Sequence, residues 1–216
     1  MSAGESAAAW AAQLRADARR GLWARITAWL GLNQSTRLAD AKAARCERGA
    51  KGERATARLL TQLQPYGWHI RHDLALPNSR ANLDHVLISP CGTTVIVLDS
   101  KQWNRLELTK LVDGRVHCGK KDWHDQIDAV AGYARKVAKA VDLPPENVLP
   151  MVVVHGSPVV IGGHLKASTP DGPVLVLEAG WLVPTLAASA GLPDRYRSRA
   201  LADWVFSVLT PYVQRR

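Results

Sequence analysis

The feature that most constrains the fold is a series of short β-forming segments set between two helical patterns. Three runs rich in β-branched and aromatic residues come first, at 68–74, 83–88 and 95–100. Two more, at 105–111 and 115–118, flank Asp113-Gly114, a strong hairpin signal. Helical periodicity precedes the series at 38–64 and follows it at 123–142, and apolar strand patterns come next at 148–154 and 174–177. This order predicts a mixed α/β sandwich.

The flanking regions predict three more helices. An N-terminal helix is expected over 5–30, a linker over 31–36, and two C-terminal helices over 179–190 and 195–212. The expected organisation is an N-terminal basic helix and linker at 1–36, followed by one α/β domain at 37–216 with its core motif region at 46–155.

Composition narrows the class of protein. The 216 residues include 28 Lys and Arg against 19 Asp and Glu, which gives a formal net charge of +9. An excess of this kind favours polyanionic partners, either nucleic acid or an anionic membrane surface. The apolar fraction of 47% is that of a folded protein, so wholesale disorder is excluded.

Several common site types are missing from the sequence. The three cysteines have no CxxC spacing, and the histidines show neither HxH nor HExxH, which argues against a zinc site. There is no GxxxxGK[ST] phosphate loop to indicate ATP use. No secretory signal is recognised, and the longest uncharged stretch is broken by Pro and Gly, so a cytoplasmic location is expected.

Glu53 is the first unusual residue, because it falls on an apolar helical stripe. The other members of the stripe are Cys46, Ala50, Ala57 and Leu60. A carboxylate on a packing face is costly unless it is paired or bound to a cation. The alternative is a slightly rotated helix that leaves Glu53 in water beside Lys51 or Arg54.

Asp84 is the second. The two-residue period of a strand places it on one face with Val86 and Ile88, and the opposite face is also largely apolar. The strand is therefore predicted to be central, where Asp84 needs a partner. The alternative is an Asx-type turn at the strand entrance, helped by Asn82. For His85 the sequence favours a packed or hydrogen-bonded structural role over a role in the site.

Asp99 and Lys101 follow directly on the apolar run at 95–98 and share one strand face. A carboxylate that binds Mg²⁺ beside a lysine suits phosphodiester hydrolysis. The cation polarises the phosphate and lowers the pKa of bound water, and the lysine orients or helps to deprotonate that water. The alternative is a surface ion pair worth about 0–1 kcal/mol. The gap between Asp84 and Asp99 fits a hairpin that makes them neighbours.

The same residues carry a resemblance to a known family. The segments concerned are Gly49–Glu53, His72–Pro77, Ala81–Val86 and Val95–Trp103, with the motifs N-(I/L)-D-H and D-x-K-x-W in that order. Over residues 46–140 the chain resembles the nuclease-related domain (NERD) family, which is placed in the restriction-endonuclease-like, PD-(D/E)xK, superfamily.

The resemblance implies an αβββαβ core and a nuclease site that depends on Mg²⁺ or Mn²⁺. The family positions fall on Glu53 in the helix, Asp84 in the first strand motif, Asp99 and Lys101 in the (D/E)xK pair, and Gln126 in the next helix, where it would support the site. Glu53, Asp84 and Asp99 would be the metal ligands. Asn104 stands where a turn glycine is expected, which leaves the site assignment intact.

The N-terminal region leaves three interpretations open. Residues 1–58 hold 11 Lys and Arg against 5 Asp and Glu. This arm could bind a phosphate backbone, lie on an anionic bilayer, or pack on the core or on a partner in a homodimer formed through the terminal helices. We therefore carry three hypotheses: a metal-dependent nuclease acting on DNA, an inactive nucleic-acid-binding module of the same fold, and a membrane-surface or scaffold protein.

Overall fold

The computed structural model describes residues 5–18, 34–79 and 81–212, and all structural statements below concern these ranges. The helices are α1 (Glu5–Ala18), α2 (Gln34–Leu60), α3 (His124–Ala140), α4 (Val160–Gly163), α5 (Leu182–Ala188) and α6 (Arg195–Val208). Short 3₁₀ segments lie at Thr61–Tyr66, Pro145–Asn147 and Ala179–Trp181. Among the helices in these ranges, none is long and apolar enough to cross a bilayer.

Six strands form the central sheet in the order β1-β2-β3-β7-β9-β8. They are β1 (His69–Ala75), β2 (Asn82–Ile88), β3 (Val95–Gln102), β7 (Val148–His155), β8 (His164–Ala167) and β9 (Val174–Glu178). β1, β2 and β3 pair antiparallel, β3, β7 and β9 pair parallel, and β8 returns antiparallel to β9. The order α2-β1-β2-β3-α3-β7 is the predicted αβββαβ core, so the fold class is confirmed.

Helices cover both faces of this sheet, because the strands are apolar on both sides. On one face, α2 and α5 pack through Leu60 and Leu182 against Leu98 of β3. On the other face, α3 and α6 pack against the residues that alternate with these, including Val86 and Val97. Strands whose residues are nearly all apolar are typical of a sheet that is buried on both faces.

A small second sheet is inserted between β3 and α3. Its strands are β4 (Thr109–Val112), β5 (Arg115–Cys118) and β6 (Lys121–Asp122). Asp113 and Gly114 both have positive φ, as the predicted hairpin turn requires. Asn104 forms the turn that leads into the insertion, since its Oδ1 accepts the backbone N–H of Leu106 at 3.1 Å. A side-chain turn of this kind replaces the expected glycine.

The main differences from prediction lie at element ends. The linker predicted at 31–36 is wrong for residues 34–36, because α2 already begins at Gln34. Within the N-terminal helix predicted over 5–30, residues 19–30 lie outside the described ranges, whereas α1 packs on α2 through Arg15, which pairs with Glu47. β8 falls between the strands expected at 148–154 and 174–177, because its residues, His164–Ala167, include no β-branched residue and no Tyr, Phe or Trp to indicate a strand.

Gly92 offers a test of how α6 is docked. Its φ is +66°, and a methyl group added there would overlap the backbone nitrogen of Ser198 in α6. Gly114 has a similar φ of +78° but no neighbouring atom within 4 Å of that position. We expect Gly114→Ala to lower the free energy of unfolding by about 1 kcal/mol, the cost of the backbone conformation alone. Gly92→Ala should cost about 2 kcal/mol, because α6 must also move; equal costs in urea unfolding would contradict this docking.

Candidate active site

The site is built where β2 and β3 separate. Their pairing ends at His85 and Leu98, although β2 extends back to Asn82 and β3 extends on to Gln102. One residue beyond the last pair, Asp84 and Asp99 occupy opposite positions on the face that α3 covers. The backbone N–H of Ser100 donates to Asp84 Oδ2 at 2.9 Å. Asp84 therefore fills the gap between the separating strands.

Lys101 lies on the same strand face as Asp99. Its Nζ is 2.5 Å from Asp99 Oδ2, and both side chains are mostly buried. Burial by itself would lower the pKa of Lys101, but the charges of Asp99 and Asp84 outweigh it and raise that pKa above its usual value. Lys101 is therefore an ammonium group at neutral pH. The interpretation of Asp99 and Lys101 as an exposed surface pair does not fit this burial.

Glu53 approaches the same place from the other layer of the sandwich. It lies on α2, and its exposure of 9% confirms the inward position expected from the helical stripe. Burial raises its pKa to about 7, and the charges of Asp73 and Asp99 add to this rise. Two of the residues whose charges act on Glu53, Asp99 and Lys101, belong to the opposite face of the sheet.

The pKa of Asp84 is shifted by its burial and by the charges of the same residues. Burial raises it well above its ordinary value, and the charges of Asp99 and Glu53 raise it further. The charge of Lys101 and the hydrogen bond from Ser100 act in the opposite direction. Three carboxylates and one ammonium group thus share a poorly solvated region, where the negative charges repel one another.

The carboxylates do not converge on one point as they are placed. Among the described residues, no group of three or more His, Cys, Asp or Glu side chains is arranged to hold a metal ion. A cavity of about 910 Å³ lies elsewhere, between the 3₁₀ segment at Thr61–Tyr66 and the start of α6, and none of the predicted site residues lines it.

Gln126 is half-buried in the first turn of α3. Its backbone N–H donates to the carbonyl of Trp123 at 3.0 Å. Two helical turns further on, Tyr133 is close enough to Lys101 to influence its pKa. Residues seven apart lie on the same face of a helix, so Gln126 lies on the face of α3 that carries Tyr133.

Asp73 is an acidic residue of this region that the sequence did not identify as part of the site. It is 1% exposed, has φ of +52°, and accepts a hydrogen bond from Asn82 Nδ2 at 2.8 Å. It falls between the register pairs His72–His85 and Leu74–Leu83, at the level of Asp84. Its place near the site depends on the pairing of β1 with β2, and this pairing cannot be read from the local sequence His72–Leu74.

Two aromatic residues near the site are engaged with each other. The rings of Trp103 and Trp123 stack with centroids 5.8 Å apart, and Lys121 Nζ lies 3.6 Å from the Trp123 ring centroid. Trp103 is buried in the core. The structural role expected for His85 is also confirmed, since it is fully buried and hydrogen-bonded to both His72 and Ser100.

Comparison with known proteins gives one match. A family model described as "Nuclease-related domain" (NERD) matches residues 48–155, which is half of the chain. That range contains all five predicted site residues. No curated protein matches the chain, and no solved structure matches it.

Proposed function

The chain belongs to the nuclease-related domain family, and on this premise we propose that it is a metal-dependent nuclease that hydrolyses DNA phosphodiester bonds. The family gives it a nuclease-related role and implies interaction with nucleic acid. The observation that supports the finer proposal is the contact of Asp99 with the ammonium group of Lys101, together with Glu53 and Asp84, whose pKa values these two charges shift.

The donor set fits Mg²⁺ or Mn²⁺. Both ions prefer oxygen ligands, and Glu53, Asp84 and Asp99 supply only carboxylate oxygens. Burial, and then mutual repulsion, raise the pKa values of Glu53 and Asp84, and a divalent cation would relieve the repulsion. Binding would require these side chains to turn toward one point, which their attraction to the cation favours. When bound, the ion polarises the scissile phosphate and lowers the pKa of the attacking water.

Lys101 has a separate role in this proposal. Because its pKa is raised, it stays protonated at neutral pH and does not act as the base. An ammonium group held beside Asp99 can donate a hydrogen bond to the attacking water and stabilise the negative charge that develops on the phosphate. Attack of the water oxygen on phosphorus forms one P–O bond and breaks one P–O ester bond; the water gives up one proton, and the leaving oxygen takes up one proton to become a hydroxyl group.

A nucleic acid is the proposed substrate class because the chain is basic, and within that class DNA is the substrate we propose to test first. A formal charge of +9 favours binding to a phosphate backbone, which is common to all nucleic acids. Purified protein should therefore be incubated with plasmid DNA, linear DNA and RNA, each with Mg²⁺, Mn²⁺ or EDTA. Cleavage of DNA that requires the metal supports the proposal. Salt-sensitive binding without cleavage would instead indicate an inactive binding module.

Metal binding also has a readout besides activity. A ligand that binds only the folded protein stabilises it by about 2.7 kcal/mol at 100 times its Kd. We expect saturating Mn²⁺ to raise the free energy of unfolding by about this amount at pH 8. The double variant Asp84→Asn/Asp99→Asn should show no rise, because its remaining carboxylate cannot hold the ion alone. An equal rise in wild type and double variant would place the ion elsewhere.

A further inference from the structure

Five polar side chains form a continuous hydrogen-bonded chain through the core beneath the site. It runs from β1 through β2, β3 and α2 to β7, and its members are His72, His85, Ser100, Thr56 and His155. The four successive donor–acceptor distances are 2.7, 3.1, 2.8 and 2.7 Å. One hydrogen-bonded path therefore crosses five elements of the core.

The hydrogen atoms available give this chain one direction. Ser100 Oγ donates to Thr56 Oγ1, and a hydroxyl group has a single hydrogen. Ser100 must therefore accept from His85, whose Nε2 carries the hydrogen. The Nδ1 atom of a neutral His85 is then an acceptor, so His72 Nδ1–H must donate to it.

The other end of the chain follows in the same way. Thr56 uses a lone pair to accept from Ser100, so its own hydrogen is free for Nε2 of His155. Donation to that nitrogen gives the Thr56 hydrogen its acceptor within the chain, and it puts the ring hydrogen of His155 on Nδ1. Burial lowers the pKa of His72 and His155, in agreement with one hydrogen on each of these rings.

The centre of the chain joins the elements that carry the proposed metal ligands. Ser100 lies between Asp99 and Lys101, and its backbone N–H holds Asp84 Oδ2 at 2.9 Å. Thr56 follows Glu53 by one turn of α2, on the same helix face. Both hydroxyl groups are excluded from water, with exposures of 0% for Thr56 and 6% for Ser100. The Thr56–Ser100 bond thus links the helix that bears Glu53 to the strand that bears Asp99.

We propose that Thr56 and Ser100 are positioning residues of the nuclease site, and that the one-way hydrogen-bond chain from His72 to His155 fixes the helix bearing Glu53 against the strands bearing Asp84 and Asp99. This inference rests on the proposed function, because a positioning role requires that the carboxylates bind a metal ion. The direction of the chain is a property of the fold, and it can be measured without any activity.

The direction is tested by the tautomers of three histidines. Long-range ¹H–¹⁵N correlation spectra of the uniformly labelled full chain at pH 8 distinguish a hydrogen on Nδ1 from one on Nε2. The expected result is Nε2–H for His85 and Nδ1–H for His72 and His155. Observation of Nδ1–H for His85, or Nε2–H for His155, would overturn the directed chain.

The positioning role is tested by Thr56→Val, which keeps the shape and removes the hydroxyl. Loss of a group that orients metal ligands costs about 10- to 100-fold in metal affinity or activity. We therefore expect Mn²⁺ affinity, measured by calorimetry, and the cleavage rate each to fall by about that factor. Thr56→Ser retains the hydroxyl and should stay within about threefold of wild type.

Thr109→Val is the matched control. Thr109 is also fully buried and pairs with another serine hydroxyl, Ser157 Oγ at 2.7 Å, but it lies in the inserted sheet. The Thr109→Val variant should lose about as much thermal stability as Thr56→Val and keep the Mn²⁺ affinity of wild type. If wild type binds Mn²⁺ and Thr56→Val binds it equally well, the positioning role alone fails. If wild type binds no Mn²⁺ and cleaves nothing, the nuclease proposal fails with it.

Discussion

Asp99→Asn is expected to reduce metal-dependent DNA cleavage by roughly 10³-fold, because it removes a ligand charge from the centre of the site. Asn has nearly the same shape as Asp, so the strand and its contacts are preserved. Lys101→Met should produce a loss of similar order, since it removes the ammonium group that faces the developing charge and the partner of Asp99. Initial rates on linear DNA at saturating Mg²⁺ measure both effects.

Each of these variants has a matched control in the inserted sheet. Asp113→Asn makes the same chemical change in an exposed hairpin turn, and Asn tolerates the positive φ found there. Lys110→Met removes an exposed lysine from β4. Both controls should cleave within about threefold of wild type. Wild-type rates for Asp99→Asn or Lys101→Met, in folded protein, would show that the cluster performs no chemistry.

Glu53→Gln is expected to stabilise the protein at pH 8 in the absence of divalent metal. The pKa of Glu53 is about 7 in the folded protein, against an ordinary value of 4.5. Between these pH values the unfolded chain loses a proton that the folded protein retains, so stability falls as pH rises. Above about pH 7 the cost of the buried charge is complete, on the order of 3 kcal/mol. Gln carries no charge and avoids this cost.

The pH dependence distinguishes this effect from a simple packing change. Below about pH 4.5, Glu53 is protonated in both the folded and the unfolded state, so the advantage of Gln should vanish there. Glu146→Gln is the control, because Glu146 is exposed in a 3₁₀ segment and should change stability by less than about 0.5 kcal/mol at either pH. Urea unfolding at pH 8 and pH 4.5 gives the comparison. A stabilisation by Glu53→Gln that is equal at both pH values would contradict the buried charge.

Such a result would also explain why a carboxylate is found on a packing face. A side chain that destabilises the free protein is retained at functional sites when a ligand compensates for it. Addition of Mn²⁺ should therefore reduce the difference in stability between Glu53→Gln and wild type, because the ion stabilises only wild type, which keeps all three carboxylates.

The strands that carry the site could be predicted from local pattern. The run at 95–98 is apolar on both faces, so it reads as a central strand, and period-two alternation then puts Asp99 and Lys101 on one face. Leu60 of α2 and Leu87 of β2 are both buried in one core cluster, so a helix covers the sheet as the α/β pattern indicates. The turn residues Asp113 and Gly114 fixed the hairpin without any long-range information.

The supporting residues could not be predicted, because their meaning depends on contacts between distant parts of the chain. Thr56 and Ser100 are 44 positions apart and meet only when α2 packs on β3. Asp73 falls between the register pairs His72–His85 and Leu74–Leu83, so its place in this region depends on how two strands pair. The helical stripe was also misplaced by one residue, since Thr56 is fully buried where Ala57, which is half-buried, was expected to face inward.

Crystals of the full chain soaked in Mn²⁺ and measured at the manganese absorption edge test the central claim most directly. We predict an anomalous difference peak within coordination distance of Asp84 and Asp99, with Glu53 turned toward it, and no such peak in Asp99→Asn crystals. A well-ordered protein with saturating Mn²⁺ and no peak among these three carboxylates would contradict the claim that they form a divalent cation site.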